Sequence, residues 1–159
     1  MIIEIKDITK VYGSRTVVNI PHAAIEEGET IGLVGNNGAG KTTLFRMILD
    51  LIRPSNGSIF SKGENVASGD HWKTYTGSYL DEGFLIDYLT PEEYFEFIAS
   101  INGLTKQEAY LRLKTFEELF SGEIMNKGKY IRDVSKGNKN KVGIAAAMMI
   151  RPQVLVLDE

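Results

Sequence analysis

Apolar and polar positions alternate along "IIEIKDI", residues 2–8, as they do in a half-buried strand. "TVVNIPHAAIEEGET", residues 16–30, predicts a second strand, with residues 26–29 as its turn. The run "TIGLVG", residues 30–35, is short, apolar and closed by glycine, which predicts a central strand. Helical spacing then takes over in "KTTLFRMILDLI", residues 41–52, and "RPSNG" closes it. Two further short strands are expected at residues 57–63 and 75–80.

The pattern changes at Thr90. Thr90, Pro91 and Glu93 form a helix start: a capping hydroxyl, proline in the first turn, and a carboxylate three residues after the cap. Gly103 stops that helix, and Thr105 with Glu108 repeats the start. Ala109, Leu113, Phe116 and Phe120 then fall on one helical face. Residues 90 to about 121 are therefore an all-helical insert in a strand-rich frame. Residues 121–138 are expected as loop, 139–150 as a helix ended by Pro152, and "VLVLD" as a last strand. Tyr94, Phe95, Phe97, Ile98, Met148 and Met149 are expected in the core. Lys136, Lys139 and Lys141 are expected in solvent, and His22 and His71 in structural or exposed places.

At 159 residues the chain has the size of one domain and can bury roughly 70% of its unfolded surface. A net charge of −3 argues against nucleic acid as the main partner, because a phosphate backbone rewards positive excess. The chain has no cysteine, which excludes disulfides and thiolate metal sites. The N-terminus lacks a signal-peptide core, and no apolar run approaches the ~20 residues of a membrane span. A soluble, cytoplasmic chain is the expectation.

"GNNGAGKTT", residues 35–43, fits G-x-x-x-x-G-K-[ST] between an expected strand and helix. Glycines let the backbone turn its N–H groups onto a phosphate chain, and a helix N-terminus adds positive potential. Gly35, Asn36, Asn37, Gly38, Ala39, Gly40, Lys41, Thr42 and Thr43 are thus the candidate phosphate site. Lys41 would reach the β- and γ-phosphates, and the Thr42 hydroxyl would face Mg²⁺. Chemistry of this kind needs an acid at the end of a neighbouring strand. Asp158 supplies one for the metal, and Glu159 is placed to polarise the attacking water.

These motifs, in this order, resemble the nucleotide-binding domain of the ATP-binding cassette (ABC) family. "GNNGAGKTT" is similar to its Walker A and "VLVLDE" to its Walker B with the catalytic glutamate. "VSKGNKNKVGIAAAMMIRPQ" is similar to its signature segment, usually LSGGQ followed by a basic helix. Here Ser135 and Gly137 match, while the leucine, first glycine and glutamine are replaced by Val134, Lys136 and Asn138. Ser135 is a good N-cap, and Gly137 allows close approach to a helix N-terminus. The resemblance implies that Ser135, Gly137 and Asn138 act on ATP held by a second cassette. It places Tyr12 where an aromatic stacks on adenine. It places Asp81, followed by Glu82, where a glutamine usually contacts Mg²⁺ and the attacking water, a departure that adds negative charge there.

The fold implied is α/β: a P-loop NTPase core, with a mixed sheet and N-terminal antiparallel strands, plus an all-helical insert. The implied organisation is residues 1–89 as the first part of the ATP-binding core, 90–133 as helical subdomain, and 134–159 as signature helix and Walker B strand. The family pattern continues past Walker B with a proline, a loop and a strand ending in histidine. The chain is therefore expected to be part of a longer cassette, and these 159 residues alone to bind ATP weakly or moderately and hydrolyse it very slowly or not at all. The implied function is an ABC transporter ATPase using ATP and Mg²⁺, closer to exporter than importer type. Its expected partners are a second cassette, in a homo- or heterodimer, and transmembrane permease subunits that hold it at the inner face of the membrane, with no nucleic acid. A soluble ABC ATPase without a transporter, or a nucleotide-binding module without turnover, are the alternatives.

Overall fold

The computed structural model describes residues 1–158. They form two compact units, Met1–Thr74 and Tyr75–Glu159, the second described up to Asp158.

The first unit is built on four antiparallel strands in the order β2-β1-β3-β4: β1 (Ile3–Tyr12), β2 (Arg15–Ile25), β3 (Asn56–Ser61) and β4 (Glu64–Asn65). The alternation predicted from residue 2 holds only in part. Ile3 and Ile5 are buried, and then Ile8 rather than Asp7. The phase slips because β1 bulges against β3 between Lys6 and Thr9, with Asp7 at φ 50°. An extra residue in one strand moves the following side chains to the other face, and here it returns Ile8 to the core. Helix α1 (Lys41–Ile48) packs on β2 and buries Leu44, Met47 and Ile48. It ends four residues before the expected 52. Asp50 adopts a left-handed φ of 52°, and the Asp50 and Leu51 amides bond back to the Met47 and Arg46 carbonyls. This is a Schellman closure with aspartate in the place usually taken by glycine, so no glycine announced it.

The expected central strand at residues 30–35 is absent: those residues form no regular element. Ile31 and Leu33 are exposed, and Val34 is 95% exposed. Composition made the run strand-like, but an interior strand also needs hydrogen-bonding neighbours. Among the described residues no strand pairs with it.

The second unit pairs two parallel strands, β5 (Thr76–Tyr79) and β6 (Val154–Leu157). The register sets Tyr79 opposite Leu157, and the Asp158 amide donates to the Tyr79 carbonyl at 3.1 Å. Around the pair lie α2 (Pro91–Ile101), α3 (Lys106–Leu113), the short α4 (Glu117–Phe120) and α5 (Lys136–Met149). Both predicted helix starts are complete capping boxes, Thr90 with Glu93 and Thr105 with Glu108. The face predicted for the insert is the buried one: Ala109, Leu113 and Phe120 are inside, and Phe116 packs against them. Phe95 is the largest fully buried side chain, its ring stacked on Phe120 at 5.8 Å. Tyr94 and Ile98 join this core, whereas Phe97 is exposed. Met149 is buried but Met148 is exposed, so only one of the expected pair is core.

Helix α5 begins at Lys136, three residues before the pattern suggested, because Ser135 caps it: its Oγ accepts from the Asn138 amide at 3.3 Å. Its inner face is small: Val142, Gly143, Ala145, Ala146 and Ala147 are buried. A Cβ on Gly77 would strike the Ala147 carbonyl, and one on Gly143 would strike the Tyr79 ring. Helix and strand thus meet closely through a glycine on each side.

Candidate functional site

In the first unit, the segment between β2 and α1 ends in a tight turn at residues 36–40. The Ala39 amide donates to the Asn36 carbonyl at 3.0 Å, and Gly38 and Gly40 lie at φ 81° and 93°. Gly40 is the N-cap of α1 and has no side chain to cap with. A Cβ there would come within 2.5 Å of the Val17 carbonyl on β2, so the turn sits directly on the strand. Arg15 of β2 also donates to the Gly38 carbonyl at 3.5 Å.

The first turn of α1 therefore carries no side-chain cap and no acidic residue. Such a helix end offers N–H groups and positive potential to an anion. Lys41 folds back over the turn, its Nζ donating to the Gly35 carbonyl at 2.8 Å and the Asn36 carbonyl at 3.3 Å. Its ammonium is thus held above the turn backbone. Thr42 follows on the same helix end and is exposed. Tyr12 closes the β1–β2 hairpin opposite Arg15 and is 52% exposed, with Lys10 Nζ 5.1 Å above its ring. The structure brings residues 35–43 together as one turn and helix start.

In the second unit, the acids gather at the carboxyl ends of the parallel strands. Asp158 directly follows β6 and is 8% exposed. Asp81 follows β5 by two residues, at the same edge, and is exposed. Its Oδ1 accepts from the Gly83 amide at 2.8 Å and caps a 3-10 turn at Glu82–Phe84. The signature-like residues lie at the start of α5: Ser135 is its cap, Gly137 is exposed and Asn138 donates its amide to that cap. Glu159 lies outside the described residues. Among the described residues, no group of three or more His, Asp or Glu side chains could hold a metal by itself.

Sequence reasoning missed two contacts at this edge. Tyr79 is 4% exposed, and its hydroxyl donates to Asn140 Oδ1 at 2.8 Å. Burial pushes its phenol from 10.0 up to about 12, and the Glu82 and Asp81 carboxylates add to the shift, so it stays a donor. Lys139, expected in solvent, is 21% exposed and faces Glu82 at 3.7 Å. A glycine at 143 inside an Ala-rich helix was the available signal, since an interior glycine often marks a close approach.

Residues 18–159 match the family model described as "ABC transporter". The bacitracin transport ATP-binding protein BcrA of Enterococcus faecalis is 35% identical over 99% of this chain, which spans 50% of that protein. An Fe(3+) ions import ATP-binding protein, FbpC of Escherichia coli O157:H7, is 28% identical over 99% of the chain and 45% of its own length. A solved structure described as an ATP binding subunit of an ABC transporter superposes with a TM-score of 0.86 at 29% identity, covering 100% of this chain and 66% of that one. The fold, with its antiparallel N-terminal strands and helices, is that of an ABC ATP-binding subunit. The chain belongs to the ABC transporter family. It spans about half the length of the curated relatives it matches. Among the described residues no helix is long and apolar enough to cross a membrane.

Proposed function

We propose that this chain is the ATP-binding and ATP-hydrolysing part of an ABC transporter, coupling the pairing of two cassettes around ATP to substrate movement by separate membrane subunits. The observation that supports this most is the uncapped start of α1, with the Lys41 ammonium held over the preceding turn. In this reading Lys41 exchanges the Gly35 and Asn36 carbonyls for phosphate oxygens. The backbone of residues 35–43 wraps the phosphate chain, and Tyr12 offers its ring to the adenine. Thr42 and Asp158 would hold Mg²⁺, and Asp81 would accept from a metal-bound water. Oxygen donors of this kind suit Mg²⁺, which commonly takes only one or two protein ligands and completes its shell with phosphate and water. When bound, the ion would offset charge on the terminal phosphates. Glu159 would orient the attacking water. Ser135, Gly137 and Asn138 would meet the phosphates of ATP held by a partner cassette. Positioning and charge, rather than covalent chemistry, carry catalysis of this type.

Within this reading the partners are a second cassette and permease subunits, which would bring the chain to the inner face of the membrane. The Asp81-Glu82 pair and the short helical insert favour an exporter over an importer. One relative is named for bacitracin transport and another for iron import. Directional transport by the whole assembly decides between them.

The test is Lys41→Ala, with a fluorescent ATP analogue titrated in Mg²⁺. Removing one charged hydrogen-bond donor costs about 1.5–3 kcal/mol, so affinity should fall about 10- to 150-fold with the circular dichroism unchanged. Equal affinity in both proteins would overturn the phosphate-site assignment. Co-purification with membrane subunits rather than ribosomes would separate a transporter from a soluble ATPase.

A further inference from the structure

Two side chains near the acid-bearing edge of the β5–β6 pair reach across to the start of α5. Tyr79 is the last residue of β5, and it faces two ways. Its carbonyl accepts from the Asp158 amide at 3.1 Å, and its hydroxyl donates to Asn140 at 2.8 Å. Its ring fills the hollow left by Gly143. Three residues on, Glu82 stands in the 3-10 turn capped by Asp81, 3.7 Å from Lys139. Lys139 and Asn140 both lie within the first two turns of α5, and the Lys139 amide donates to the carbonyl of the cap, Ser135, at 2.9 Å.

We infer that Tyr79 and Glu82 are positioning residues that fix the Ser135–Lys139 end of α5 to the strand end carrying Asp158. The geometry requires this of no other part of the helix. Its later turns are held by close backbone packing, with Gly77 against the Ala147 carbonyl, and by Arg112, whose guanidinium donates to the Met149 carbonyl at 3.0 Å. The early turns lie where the helix is least buried, with Ser135, Lys136 and Gly137 all exposed. Without the two polar links that end would fray, because the first turn of a helix lacks half its internal bonds. With them, a shift of the Tyr79–Asp158 backbone moves the α5 start as well. The functional weight of this link rests on the proposed role of Ser135, Gly137 and Asn138 as phosphate contacts.

The test uses the chain as it stands, without nucleotide, and follows hydrogen exchange at residues 139–143 and 146–150. Tyr79→Phe keeps the ring against Gly143 and removes only the hydroxyl. Glu82→Gln removes only the charge. Tyr79→Phe should speed exchange at 139–143 about three- to tenfold, the size of one net hydrogen bond, and Glu82→Gln about 1.5- to fivefold, the size of a part-exposed ion pair, both leaving 146–150 unchanged. Reversing the pair with Glu82→Lys and Lys139→Glu should restore protection, which a loss of general stability would not do. Affinity for a fluorescent ATP analogue should match the parent in all these proteins. Unchanged exchange at 139–143, or faster exchange along the whole helix without rescue by the reversed pair, would overturn the inference. A parent chain that binds no nucleotide would refute the ATP-binding reading, while the exchange data would still decide the positioning role.

Discussion

Gly143 shows how much a single position can carry. The Tyr79 ring occupies the space a side chain at 143 would need. The ring cannot swing away freely, because Tyr79 is 4% exposed and its hydroxyl is bound to Asn140. Gly143→Ala should therefore destabilise the second unit by about 1–3 kcal/mol, the usual cost of overpacking, despite alanine's better helix propensity. Urea unfolding of the two proteins checks it, and a more stable alanine variant would refute the contact. Adding Tyr79→Leu should recover part of the loss. The residue scale is also where sequence was least informative. Lys41, Thr42 and Asp158 could be proposed from sequence because a spacing rule links each residue type to a chemistry. The pairing of Glu82 with Lys139, or Tyr79 with Asn140, was not. These contacts join segments more than 50 residues apart, and no local pattern encodes which partners tertiary structure will bring together.

At the scale of elements, local chemistry decided what could be foreseen. The starts of α2 and α3 followed from Thr90 and Thr105 alone, because a capping box is closed within four residues. Residues 30–35 failed for the opposite reason: a strand depends on neighbours that its own sequence does not supply. The α3 start also makes a pH prediction. Hydrogen bonds from Thr105, first its backbone amide and then its hydroxyl, hold the Glu108 carboxyl below its ordinary 4.5. A depressed folded-state value means the contribution is present above the unfolded pKa and is lost as pH falls through the folded one. The Thr105 amide resonance should thus titrate with a midpoint below 4.5, and Glu108→Gln should abolish that step. A midpoint at or above the ordinary value would mean the box does not form in solution. Thr105→Ala keeps the amide donor and loses only the hydroxyl, so it should move the midpoint back toward 4.5 without abolishing the step, and cost about 1 kcal/mol in capping.

At the scale of the whole molecule, ligand binding and stability are linked. A ligand that binds only the folded state stabilises it by an amount set by its concentration over Kd, about 2.7 kcal/mol at a hundredfold excess. For a chain of this size each 1 kcal/mol moves Tm by about 2–4 °C, so saturating MgATP should raise Tm by about 5–10 °C. The origin of the shift can be located. If residues 35–43 are the phosphate site, Lys41→Ala should lose most of the shift while keeping its own unliganded Tm near that of the parent. Among the described residues Lys41 bonds to exposed backbone of its own turn, so little folding stability depends on it. Asp158→Asn should behave differently. If the carboxylate serves Mg²⁺, its loss should spare the shift given by ATP with EDTA and remove the extra shift given by Mg²⁺. A Lys41→Ala protein that keeps the full shift would move nucleotide away from the α1 start. An Asp158→Asn protein that keeps the Mg²⁺ increment would remove Asp158 from the metal site while leaving the phosphate site standing.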